Sequence, residues 1–246
     1  MIELILFFGI AAILTVSLMA GSGVAVSQQR YRDSVQSLRG ELQDQYGGVS
    51  SVMNNRDDNL SCNAAGSVGE AGGATPRGTS ENCVLIGKFI QSYQASSDVP
   101  DGAALHVHPV IAAMSGDLDP DITNDTEAIQ QYNLALDTRR YEAHLLEWDS
   151  LARVQGLTGG AQNQFSILIA RSPLSGSVLT YISSGSATAN PNAMVTASNL
   201  QNELTICVDP AGNEVITGEK MAVRIQANAS NPSGVEMISQ EAGNGC

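Results

Sequence analysis

Positive charge and aromatic rings are what this chain has least of. Twelve Lys and Arg stand against 25 Asp and Glu in 246 residues, a formal net charge of -13, and Phe, Trp and Tyr together make up 4%. No basic residue precedes Arg30 and no proline precedes Pro76. The acidic excess repels phosphate backbones, so no nucleic-acid partner is expected. The sequence also lacks Gly-x-Ser-x-Gly, a phosphate-cradling glycine loop, and a Ser or Thr nucleophile with an obvious histidine partner. Neither an enzyme nor a cofactor is expected. Its four cysteines include no close pair of the kind zinc sites use.

What is present begins at the N-terminus. Glu3 opens a charge-free apolar run from Leu4 to Val26, long enough for a bilayer, which needs about 20 apolar residues. A secretory signal has a basic start, a shorter apolar core and a cleavage site before a new folded segment; nothing basic precedes Leu4 and no loop follows Val26. Beyond it, Val35, Leu38, Leu42, Tyr46, Val49 and Met53 recur at three- and four-residue steps, the period of one helix face. The spacing predicts one helix from about Ile2 to Met53, on the order of 75 Å long. Its first half is apolar all round. Its second half carries one stripe that must bury against the rest of the chain.

These residues resemble the type IV pilin and pseudopilin family, whose mature chains begin Phe-Thr-Leu-Ile-Glu-Leu-Leu where Met1-Ile2-Glu3-Leu4-Ile5-Leu6 stand here. An ionisable group just inside a spanning segment is costly, so a residue kept there is a functional candidate. The resemblance implies that Glu3 acts in assembly, neutralising a neighbouring subunit's N-terminal ammonium. A plain membrane anchor with Glu3 in the interface is the alternative. The family keeps four residues before this glutamate, preceded by a short basic leader ending in Gly. Only Met1 and Ile2 stand here, which places the expected leader upstream of Met1. Many family members kink at a proline in the apolar run; here Gly21 and Gly23 are the expected points of melting or bending.

The remaining residues, 54–246, are rich in Gly, Ser, Asn and Thr and large enough for one domain with a real core. Dispersed cysteines fit an oxidising compartment. Four allow three connectivities. Cys62 with Cys83 and Cys207 with Cys246 are the expected pairs, because each closes a modest, turn-rich loop and the second holds a terminus; free buried thiols are the alternative. The resemblance also implies a bridge at the C-terminal region.

Residues 54–82 read as a polar, glycine-rich connecting loop, and 83–246 as a β-rich domain. Strands are expected over 84–90, 104–110, 140–148, 164–169, 177–182, 203–208, 221–226 and 235–239. The third to fifth should run as a meander and the last two as a hairpin. A short helix is expected over Thr126 to Leu136, with Thr126 or Asp125 as its cap. The fold class is therefore α+β: a long N-terminal helix packed on an antiparallel domain. This order of elements resembles the H-type minor pseudopilins and FimT-like minor pilins.

Three candidate sites remain. His106 and His108 share one side of a strand, but a metal needs a further ligand, so two hydrogen-bonded or solvated histidines are expected. Asp117, Asp119 and Asp121, followed by Asp125 and Glu127, alternate as calcium ligands do, yet Ile122 stands where the calcium loop requires Gly and Ala128 where it requires Glu. A solvated turn leading into a helix cap is the simpler reading. His144, beside Glu142, reads as surface, and Tyr141 and Trp148 as packing. The resemblance implies a minor pilin or pseudopilin, single-pass in the cytoplasmic membrane with an extracytoplasmic domain, then in a filament. Its partners would be other pilin subunits and a prepilin peptidase. The alternative is a membrane-anchored module binding a sugar, cation or surface ligand.

Overall fold

A computed structural model describes residues 2–51, 60–62, 68–70, 83–92, 102–114, 119–137, 142–146, 150–157, 163–185, 188, 190–210 and 220–240. Helix α1 runs from Ile2 to Ser50 without a break. Gly21 and Gly23 remain helical, so the helix does not melt there: one Gly costs about 1 kcal/mol of helix propensity, too little to interrupt a helix of this length. The helix ends at Ser50 rather than Met53, which lies outside the described residues.

The two halves of α1 meet different surroundings. From Leu6 to Arg30 no described side chain is buried; Phe7 is 69% exposed and Leu18 74%. From Tyr31 onward the stripe Tyr31, Val35, Leu38, Leu42, Tyr46 and Val49 is buried, each at 8% exposure or less. This stripe shares one core with the inner faces of two sheets.

The larger sheet is built from β3 (Cys83–Ser92), β4 (Ala104–Met114), β5 (Tyr132–Leu136), β6 (Glu142–Leu145), β8 (Phe165–Arg171) and β9 (Val178–Ser184), in the order β5-β4-β3-β8-β9 with β6 also on β4. The smaller is β12 (Val235–Gln240), β11 (Lys220–Ile225), β10 (Leu204–Pro210) and β7 (Ser150–Val154). All described pairings are antiparallel, so the fold is α+β as expected.

Alternation along the central strands explains the layering. Phe165, Ile167 and Ile169 of β8 face α1, while Leu168 and Ala170 face a second core with Phe89, Tyr181, Ile129 and Met194. That outer layer comes from the short helices α2 (Asp125–Gln130), α3 (Pro191–Met194) and α4 (Ala197–Leu200). A strand buried on both faces reads as a continuous apolar run, as β8 does. A bulge between Leu85 and Gly87 shifts β3 against β4. At Gly87 a Cβ would stand 2.1 Å from the Ile169 carbonyl oxygen, so only glycine permits this approach of β3 to β8.

Several sequence expectations are corrected. The helix expected over 126–136 stops at Gln130, and Tyr132–Leu136 forms β5 on β4; the alternating Tyr132, Leu134 and Leu136 serve a strand better than a helix face. The cap is Asn124, whose side chain accepts from the Thr126 amide. Of the strand expected over 140–148, residues 142–146 are described; Glu142–Leu145 is strand, and it pairs with β4 rather than joining a meander with β8. The next strand, β7, begins at Ser150 and crosses to the smaller sheet. The 54–82 connection is not all loop: β1 (Leu60–Cys62) pairs with β2 (Val68–Glu70).

Candidate functional site

The apolar half of α1 presents exposed hydrophobic side chains along its length. Among the described residues it is the one helix long and apolar enough to cross a membrane. Glu3 lies within this helix, but its side chain is outside the described residues.

The packed half of α1 is tied to the domain by polar contacts at successive levels. The Tyr31 hydroxyl accepts from the Met221 amide at 2.7 Å, with the carbonyl oxygens of Val208 and Met221 each 3.1 Å away. Arg39 Nε donates to the Val235 carbonyl at 3.3 Å, and Gln43 Nε2 to the Pro232 and Val235 carbonyls. The Tyr46 hydroxyl is 2.9 Å from Thr180 Oγ1, which donates to the Ala229 carbonyl at 2.6 Å. Burial pushes the Tyr46 phenol up to about 12, partly offset by the Thr180 hydrogen bond. The helix is thus held by hydrogen bonds as well as by its apolar stripe, and its exposed apolar half continues directly into the packed half.

The remaining sequence candidates separate. Asp117 lies outside the described residues, Asp119 Oδ1 accepts from the Asp121 amide, and Asp125 Oδ1 accepts from Ser172 Oγ at 2.6 Å. Two of the five carboxylates are therefore engaged in local turn and tether contacts. His106 and His108 lie with ring centroids 6.2 Å apart, edge to face. Burial lowers the proton affinity of both; for His108 this is opposed by a hydrogen bond to the Asp137 backbone. Among the described residues no three His, Cys, Asp or Glu side chains are grouped to hold a metal. Cys62 and Cys207 are both disulfide-bonded, and no described cysteine is free; the side chains of Cys83 and Cys246 lie outside the described residues. So do Tyr141 and Trp148.

One feature was not legible as a site in the sequence. Between α1 and β6 lies a groove of about 330 Å³, lined by Ser34, Ser37, Leu38 and Glu41 from the helix, Leu105 from β4, and residues 143–146. His144 enters it because β6 pairs with β4 in the register Leu105↔His144, which turns its ring toward the helix. Its Nε2 is 3.1 Å from Glu41 Oε1 and 3.5 Å from Glu142 Oε2. The only sequence signal was the spacing of Ser34, Ser37 and Glu41, a polar row beside the apolar stripe.

Comparison with family models, with curated proteins and with solved structures found no match for this chain.

Proposed function

We propose that this chain is a minor subunit of a filament of the type IV pilin and pseudopilin class, held in the cytoplasmic membrane by its N-terminal helix before assembly. The observation that supports this reading best is the unbroken passage of α1 from an exposed apolar half into the spine of the domain core. A simple anchor needs no such rigidity, whereas a subunit that displays its domain at a fixed angle around a helical bundle does. The disulfide state of Cys62 and Cys207 agrees with an extracytoplasmic domain. We assign the pairs Cys62–Cys83 and Cys207–Cys246. For the first, Cys62 packs against Ile111, as Leu85 does, and Cys83 stands two residues before Leu85 in sequence, in register with Ala113.

In an apolar bundle a carboxylate and an ammonium are each expensive alone and tolerable as a pair. Glu3 would supply the carboxylate, and the pairing would set axial register between subunits. Glu3→Gln should leave membrane insertion intact and lower the amount of this protein in sheared filaments. Equal recovery of wild type and variant would remove this role. The second reading, an anchored binding module, is favoured by the groove between α1 and β6; under it Glu3 would tolerate any polar residue.

A further inference from the structure

We infer that the groove between α1 and β6, together with the outer edge of β6, is a docking surface for an extended segment of another protein carrying a Lys or Arg side chain. This goes beyond filament membership and does not depend on it. The groove's volume, about 330 Å³, is at the lower end of the 300–1,000 Å³ typical of small-molecule sites, and suits one long side chain better than a whole ligand. Its walls offer Leu38, Leu105 and Leu146 to an aliphatic stem.

One carboxylate that lines it, Glu41, and one beside it, Glu142, set the sign of the occupant. Two carboxylates, Glu41 at 25% side-chain exposure and Glu142 at 59%, converge on the single imidazole of His144. His144 Nε2 is buried and makes no well-aligned hydrogen bond to either; Gln45 Nε2 donates to Glu41 Oε1 at 2.6 Å. Acceptor capacity therefore remains for an incoming cation, and a guanidinium or ammonium forms strong charge-assisted hydrogen bonds with carboxylates. An anionic group would meet repulsion. A second copy of this chain, itself at net charge -13, is the poorer electrostatic match.

The edge supplies the backbone half of recognition. Among the described residues β6 pairs with β4 alone, and its Leu145, at the groove, is 70% exposed. An added strand gains main-chain hydrogen bonds along such an edge, and every second side chain enters the adjacent groove.

The test uses the full chain in detergent micelles, with the acetylated, amidated peptides Val-Lys-Val-Lys-Val, Val-Gln-Val-Gln-Val and Val-Glu-Val-Glu-Val as probes and amide hydrogen exchange as readout. The lysine peptide should slow exchange within residues 142–146 and bind at least about tenfold more tightly than the glutamine peptide, a difference one charge-assisted contact supplies. The double variant Glu41→Gln, Glu142→Gln should lose that preference. The exposed single variant Glu142→Gln, whose fold is not at risk, should reduce it. No slowing at millimolar peptide, equal binding of the lysine and glutamate peptides, or an undiminished preference in the double variant would overturn the proposal. So would self-association of the chain that competes with the peptide, since that would seat a second copy in the groove.

Discussion

Tyr46 shows at the scale of one residue how the domain grips its helix. Its hydroxyl passes a hydrogen bond to Thr180, which passes one to the Ala229 carbonyl, all buried. Tyr46→Phe removes one link and should cost about 0.5–1.5 kcal/mol. Thr180→Val orphans both ends of the chain and should cost more, because each buried unsatisfied group carries about 1–3 kcal/mol. Urea unfolding in detergent measures both. The phenol's proton affinity, raised from 10 to about 12 by burial, means that the folded state holds its proton longer than the unfolded chain does. This contribution to stability is fully present below pH 10 and is lost as pH rises from 10 through about 12. Burial raises Tyr31 and Tyr181 in the same direction. Stability should therefore fall steeply above pH 10, and Tyr46→Phe should flatten that fall; an unchanged alkaline slope in the variant would contradict the assignment. The burial of Tyr46 was legible in the sequence, since it stands on the stripe. Its partner 134 residues away was not, because no local pattern encodes a contact between a helix and a distant strand.

Among the elements, α1 divides into two halves that should respond differently to the same substitution. Leu42, fully buried between the sheets, should cost about 2–5 kcal/mol when cut to Ala. Leu14, 59% exposed, should change domain stability by less than about 0.5 kcal/mol while weakening membrane partition. Gly40 tests the helix itself. A Cβ there would meet nothing within 4 Å, so Gly40→Ala should stabilise by about 0.5–1 kcal/mol. Thermal unfolding of the three variants separates packing from propensity.

The elements also show where sequence reading works. The helix, the strands β3 and β4 and the final hairpin β11–β12 declared themselves by period and by flanking turn residues. The pairing of β6 with β4 and the crossing of β7 to the smaller sheet did not. Edge strands of four or five residues carry too few alternations to fix a partner. Residues 126–136 misled for a different reason: a good cap at Asn124 starts a helix, but the open edge of β4 claims Tyr132–Leu136 for the sheet. The groove stayed hidden because it is a product of that pairing. Only the register Leu105↔His144 brings His144 and Glu142 to Glu41.

Taken whole, the molecule is a long helix with one half apolar and exposed and the other built into a disulfide-bonded α+β domain. The proposed filament subunit uses both halves at once: the first bundles, the second presents the domain and its groove at a fixed orientation. The most direct measurement is mass spectrometry of this protein's N-terminal peptide from filaments sheared off the native cell. A filament subunit should be found in the filament fraction with an N-methylated N-terminus. An unprocessed N-terminus found only in membranes would contradict it, and would leave the chain as an anchored module whose groove does its work without a filament.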